Sequence, residues 1–377
     1  MTLIRADAVA LHGQICRPGW LQIDGAHIRA CGAGAPSGKA DREFPNSLVV
    51  PGFIDIHVHG GGGASYLDAE DIADAAAFHQ RHGTTTTLAS LVTASPDQLL
   101  AGVRALADAT RAGVVAGIHL EGPWLSAARC GAHDPTQLRD PVPAEIDEVL
   151  AAGGGAIRMV TLAPERRGST EAIRRLVDAG VVVAVGHTAA SYEQAQQAIA
   201  LGATVGTHLF NAMPPLHHRD PGPALALLEH PDVTVELIAD GVHMHPSMVR
   251  AAVQVAGPDR VALITDAIAA AGCADGSYRL GTVPIDVESG VARVSSTSTI
   301  AGSTATMDHI FRTVAALDTD TDTDAALAAA VRMTSATPAR ALGLEQVGAL
   351  RDGYDANLVV LDADLNVTAV MVRGDWR

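Results

Sequence analysis

Between residues 50 and 266, short strand-like runs alternate with longer stretches whose apolar residues recur every three or four positions. The short runs cover 50–59, 84–90, 114–121, 157–163, 181–187, 204–209, 233–240 and 261–266. They are rich in Val, Ile, Leu and Thr, a composition that suits parallel strands packed under helices. The stretches between them, such as 68–82, 96–112, 169–179 and 191–201, are alanine-rich with helical spacing. Eight strand-then-helix repeats within about 220 residues predict an α/β fold, a (β/α)8 barrel.

The flanks have another texture. Residues 1–48 hold Leu3-Ile4, the run Gly19 to Ile23, an Asp24-Gly25 hairpin signal and His27-Ile28. The C-terminus has two strand-like runs, 356–361 and 367–372. Neither end can form a stable sheet alone, so the two are expected to build one small β-sandwich, 1–48 with 345–377, around a barrel at 49–344. Residues 275–296, with Asp-Gly and Ser-Gly pairs, read as a hairpin inserted after the eighth strand. The acidic run 318–324 reads as a solvated loop capping a helix.

Composition narrows the function. With 48% hydrophobic but only 3% aromatic residues, the core must be built from Ala, Val, Leu and Ile. A net charge of −16 argues against nucleic acid or an anionic membrane as partner. An anionic substrate must therefore be met by a few local cations. Cys16, Cys31, Cys130 and Cys273 are scattered and read as free thiols of a reducing compartment. No signal pattern and no membrane-length apolar run is present, so the expected location is cytoplasmic.

The chemistry lies where a barrel carries it, at the C-terminal ends of the strands. His57 and His59 end the first run, two apart and so on one face of a strand. Glu121 ends the third, His187 the fifth and His208 the sixth; Asp240 and His243 follow the seventh, and Asp266 ends the eighth. Any one of these reads equally well as a packed histidine or a cap. Together they point to a metal-dependent hydrolase. His79, His82, His217 and His218 read as surface or packing residues; His119, two before Glu121, is left open between a packing residue and a support for a ligand.

The H-x-H pair, the histidines on strands five and six and the aspartate on strand eight resemble the amidohydrolase superfamily. Many members bridge two metals with a carboxylated lysine. The only lysine here, Lys39, lies upstream of the barrel, so the bridging or central ligand must be a carboxylate, and Glu121 is the one offered. The in-order segments HLEGPWL (119–125), GAHDP (131–135), VGHTAA (185–190), THLFNAMPPLHHRDPG (207–222), ADGVHMHP (239–246), LITDAI (263–268) and IAGSTATM (300–307) resemble the N-acetylglucosamine-6-phosphate deacetylase family.

That resemblance implies one or two divalent metals (Zn, Fe, Mn or Co). Glu121, His187 and His208 would form the principal set, and His57, His59 and Asp266 the second. It implies Asp266 as general base and acid, with His133 polarising the acetamide carbonyl. Gly122, Asn211, Ala212, Arg219, His243 and Met307 would bind substrate, Arg219 reaching across a homodimer. The implied reaction converts N-acetylglucosamine 6-phosphate to glucosamine 6-phosphate and acetate, in amino-sugar catabolism and cell-wall recycling. The N-acetylgalactosamine 6-phosphate epimer is the alternative substrate, and a cyclic amidase a more distant one. Cys130, in ARCGAHDP, is expected to be an exposed thiol whose modification hinders loop closure and slows the enzyme.

Overall fold

The computed structural model describes residues 1–317 and 322–377. The barrel strands are β1 (Phe53–Val58), β2 (Thr84–Val92), β3 (Gly117–Glu121), β4 (Ile157–Leu162), β5 (Val182–Val185), β6 (Ala203–Gly206), β7 (Thr234–Leu237) and β8 (Val261–Leu263). A helix follows each: Ile72–Arg81, Pro96–Arg111, Pro143–Gly153, Ser169–Asp178, Tyr192–Ala200, Gly222–Glu229, Pro246–Ala256 and, after an insertion, Met307–Ala315. Their starts carry recognisable signals. Ser191 and Gln194, for example, form a reciprocal capping box that opens Tyr192–Ala200 just beyond the site residue His187.

Strand order in the sheet follows the chain from β1 to β8, and the pairs from β2 to β8 are all parallel. The sheet closes on itself through the backbone. Asp266 N–H donates to His57 C=O at 2.9 Å, and the N–H groups of His59 and Gly60 donate to Ala267 C=O at 2.8 and 3.0 Å. The result is the expected (β/α)8 barrel.

Most strands are shorter than the apolar runs that announced them. Strands five to eight stop two or three residues before the site residue, because the chain must leave the ladder for those side chains to turn into the mouth. β1 starts at Phe53, since Val50 and Pro51 pair instead with Val359 and Leu358 of the terminal sheet. Gly52 makes the handover between sheets, at a point where any side chain would collide with Thr85.

By backbone contacts the chain divides into two compact units. One comprises Met1–Asp55, Ala77–Thr86 and Thr306–Arg377, and the other Ile56–Ala76 and Thr87–Ala305. The first contains an eight-stranded sheet in the order Asp375–Trp376, Val367–Val372, Leu358–Leu361, Arg42–Pro51, Thr2–Leu11, Gly19–Asp24, His27–Ala33, with Gln14–Cys16 paired to Thr2–Leu11. Ile4, Leu21 and Val49 from one terminus share a core with Leu358, Val360 and Met371 from the other. Burying each such side chain contributes roughly 1.5–3 kcal/mol, and neither terminus has enough of them alone.

The insertion after β8 is a three-stranded antiparallel meander, Gly276–Leu280, Val283–Glu288 and Val291–Val294, one strand more than the expected hairpin. Leu280, Ile285 and Ala292 on it pack with Ile268 and Ala301. Of the acidic run, residues 318–321 lie outside the described residues; Asp322 caps Thr323–Val331 by accepting the Asp324 N–H. Among the described residues no helix is long and apolar enough to cross a membrane.

Candidate metal centre

The second unit contains every candidate ligand, and all of them are buried: His57, His59, Glu121, His187, His208 and Asp266. His187, His208 and Asp266 have φ of 46°, 26° and 48°, a region that side-chain-bearing residues avoid at a cost of roughly 1–3 kcal/mol each. Neighbouring groups hold each of them there. Asp266 donates its N–H to His57 and receives Ser303 N–H on its carbonyl at 2.8 Å, while Ser126 N–H caps the His187 carbonyl at 2.9 Å. The His208 N–H donates to a Glu236 oxygen at 3.2 Å.

Glu121 is the hub. Its Oε1 lies 3.0 Å from Nε2 of both His187 and His208 and 3.4 Å from His57 Nε2. Its Oε2 lies 3.2 Å from His59 Nε2 and 3.4 Å from His133 Nε2. Asp266 Oδ1 faces the other side of the H-x-H pair, 3.1 Å from His59 Nε2 and 3.5 Å from His57 Nε2.

The far nitrogens decide what the near ones can do. His59 Nδ1 is 3.2 Å from the Ser90 carbonyl, and His187 Nδ1 is 2.9 Å from the Arg129 carbonyl. A carbonyl only accepts, so both Nδ1 atoms carry the proton and both neutral rings turn an Nε2 lone pair inward. His57 Nδ1 is likewise held 3.1 Å from Glu236 Oε2. Three lone pairs thus converge on two carboxylates, with only acceptors between them, unless a proton or a cation sits there. These residues therefore fit a divalent cation, whose imidazole ligands ordinarily hold their other N–H in this way.

His133 is built the other way round. Its Nδ1 accepts the Thr93 N–H at 3.2 Å, so its inward Nε2 carries the hydrogen and acts as a donor. Its nitrogens lie close enough to Glu121 and His187 for a ligand set, but the tautomer suits hydrogen bonding to substrate.

Electrostatics agree with this division. Burial opposes charge on His59, yet hydrogen bonds and charge from Asp266 and Glu121 push its pKa up to about 9. His57 is raised too, against the same burial, by Glu121, Asp266 and Glu236. Glu121 is held well below the usual carboxylate range, and Asp266 falls to about 2, as neighbouring histidines outweigh desolvation. His133 goes down to about 4, chiefly from burial, and stays neutral. The mouth thus keeps its acids ionised and attracts positive charge, the demand a metal meets.

Below the ligands runs a neutral chain of hydrogen bonds. Ser90 Oγ accepts Val58 N–H at 3.0 Å and lies 2.9 Å from His119 Nδ1; His119 Nε2 lies 2.8 Å from Thr161 Oγ1, itself 2.8 Å from Thr207 Oγ1. His119 stacks edge-on against His57 at 4.5 Å between centroids, and supports that ring.

A cavity of about 500 Å³ opens above the centre. Asn211, Ala212, His243, Cys130 and His133 line it together with His59, Glu121, His187, His208 and Asp266. His243 is anchored by Nδ1 on Asp240 Oδ2 at 2.8 Å. His57, Gly122, Arg219 and Met307 are not among the lining residues. Gly122 directly follows Glu121, and Met307 is fully buried at the start of its helix. Arg219 lies in an exposed loop with its guanidinium 2.7 Å from His218. Sequence reasoning missed two residues. Glu236 is a fully buried carboxylate on β7. Arg129 is the one Lys or Arg among the lining residues. A lone glutamate inside an apolar run was the available signal for the first, and an arginine beside the His133 motif for the second.

The amidohydrolase family profile matches residues 48–377, and the chain belongs to the amidohydrolase family. Its relatives are more specific. A mutant N-acetyl-D-glucosamine-6-phosphate deacetylase of Mycobacterium smegmatis, solved in complex with N-acetyl-D-glucosamine-6-phosphate, matches with a TM-score of 0.97 and 56% identity, over 100% of this chain and 98% of that one. An N-acetylglucosamine-6-phosphate deacetylase of Lysinibacillus sphaericus is 36% identical over 93% of this chain and 89% of its own length. An N-acetylgalactosamine-6-phosphate deacetylase of Escherichia coli O157:H7 is 38% identical over 87% of each.

Proposed function

We propose that this chain hydrolyses the acetamide of N-acetylglucosamine 6-phosphate, releasing acetate and glucosamine 6-phosphate. The observation that carries this reading is the full-length likeness to the mycobacterial deacetylase that holds this sugar phosphate. The barrel mouth supplies what amide hydrolysis needs: inward lone pairs, an ionised acid and a neutral donor.

Glu121, His187 and His208 would hold the principal metal ion, and His57, His59 and Asp266 a second, with Glu121 between the two sets. Such N/O ligands suit Zn, Fe, Mn and Co alike. A bound divalent ion lowers the pKa of water toward about 7 and draws charge from an amide carbonyl. The remaining work falls to side chains. His133 donates its Nε2–H to the acetyl oxygen as negative charge builds there. Asp266 accepts a proton from the attacking water as the new C–O bond forms. It then passes that proton to the amide nitrogen as the C–N bond breaks, so that a neutral amine leaves.

The sugar phosphate would rest against Asn211, Ala212 and His243, with Arg219 supplied by a partner subunit. The fork of an arginine suits phosphate oxygens. The four free thiols fit a cytoplasmic enzyme, here one of amino-sugar catabolism and cell-wall recycling.

The test is acetate and amine release by chelator-stripped protein reloaded with each metal. N-acetylglucosamine 6-phosphate is compared with its unphosphorylated form and with the galacto epimer. Charge-assisted phosphate contacts of roughly 1.5–3 kcal/mol each predict one or two decades of preference for the phosphorylated sugar. Faster turnover of the galacto epimer would reassign the substrate, and no release with any metal would overturn the reaction.

A further inference from the structure

The barrel interior holds a carboxylate for which the proposed reaction has no use. Glu236 projects from the middle of β7 and is completely buried. An isolated charge there is costly unless its neighbours need it. One of its oxygens, Oε2, meets both halves of the centre, at 3.1 Å from His57 Nδ1 and 3.2 Å from the backbone nitrogen of His208. Its other oxygen, Oε1, is buried with no hydrogen-bond partner among the described residues. The carboxylate has therefore given up solvation to keep Oε2 on those two groups.

Each contact does something that an apolar residue could not. At His57, the acceptor fixes the proton on Nδ1 and turns the Nε2 lone pair toward Asp266 and Glu121. The negative charge behind the ring also makes that lone pair a better ligand. At His208, the acceptor satisfies the N–H of a residue held at φ 26°. An unpaired N–H in so buried a place would add its own penalty to that strain.

We infer that Glu236 is a positioning residue for the second metal position: by orienting and polarising His57 it lets His57, His59 and Asp266 hold an ion beside the one on Glu121, His187 and His208. The inference rests on the reading of the mouth as a metal centre, and does not depend on which amide is cleaved.

The experiment measures metal, not turnover. Wild type, Glu236→Gln, His57→Asn and the double variant are dialysed to equilibrium against graded free Mn(II). Bound metal is counted by elemental analysis, and EPR reports the spin-coupled pair. Glutamine keeps an acceptor but removes the charge. Wild type should bind two ions. Glu236→Gln should keep the first while its affinity for the second falls roughly 10- to 100-fold, with the coupled signal lost at intermediate Mn(II). In the His57→Asn background the same change should have no further effect on the second ion.

Four results would overturn the inference: a single ion in wild type, two ions bound normally by Glu236→Gln, parallel loss of both ions with a lowered Tm, or additive losses in the double variant. Should wild type bind two ions, lose one selectively on Glu236→Gln and yet cleave no sugar phosphate, the inference stands and the substrate reading falls.

Discussion

Asp266 is aimed by its backbone. With its N–H committed to His57, its carbonyl capped by Ser303 and its φ at 48°, the side chain emerges in one direction, toward His59 and the cavity. Asn at this position has nearly the same shape and keeps an acceptor oxygen, but it cannot take a proton from water. Asp266→Asn should therefore keep the principal metal and bind glucosamine 6-phosphate near normally, while turnover falls on the order of 10²–10⁴. Metal analysis, product binding and kcat on the same preparation check this; near-normal kcat would remove Asp266 from proton transfer.

At this scale the sequence is eloquent about the groups that point inward. His57, His59, Glu121, His187, His208 and Asp266 announce themselves because a strand end is a fixed place in a barrel. The partners that set their protonation are another matter. Ser90 and Arg129 act through main-chain carbonyls, which every residue type possesses. Glu236 sits in a run otherwise so apolar that its charge is easily passed over.

Among the elements, the segment after β3 has the most to do. Ser126 N–H and the Arg129 carbonyl both grip His187, and Thr93 N–H grips His133. Thr282 on the inserted meander donates to Asp134 Oδ2 at 3.1 Å. Gly131, at φ 58°, lies so close that a Cβ there would stand 2.9 Å from His187 Cε1. Gly131→Ala should push the segment off His187. A strain of about 1–3 kcal/mol set against docking is roughly one to two decades of kcat/KM, at 1.4 kcal/mol per decade.

Cys130 on the same segment is half-buried rather than the exposed thiol expected; its alkylation should still slow turnover in the same direction, with Cys130→Ser resistant to the reagent. Full activity of Gly131→Ala, or of protein shown by mass to be alkylated at Cys130, would mean that the segment need not lie against His187. None of these tethers is legible in the chain, because they join the loop to groups between 40 and 148 residues away. The meander's third strand escaped for a simpler reason: Ser289-Gly290 reads as the end of a hairpin, while Val291–Val294 is short and weakly apolar.

For the whole molecule, the problem is charge. A sugar phosphate dianion must approach a chain of net charge −16 and enter a cavity that already holds two ionised acids. Within one chain, the lining offers Arg129 and His243 besides the centre itself. Arg219 lies in a loop exposed from Pro215 to Asp220, which also carries a 44% exposed Leu216. A C2 dimer in which each loop completes the other site would answer that charge problem.

Complementation separates this from a role within one chain. Arg219→Gln should raise KM for the phosphorylated sugar by one to two decades, and Asp266→Asn should be nearly inactive. Co-expressed in equal amounts, the two variants form about half mixed dimers. In each, the Asp266-bearing site receives Arg219 from its partner, so roughly a quarter of wild-type activity should return at low substrate. If Arg219 serves its own subunit, no mixed dimer contains an intact site and nothing returns. Dilution of wild type below its dimer dissociation constant should lower activity per subunit in step with the loss of dimer, and a fully active monomer would assign the phosphate to Arg129 and His243 alone.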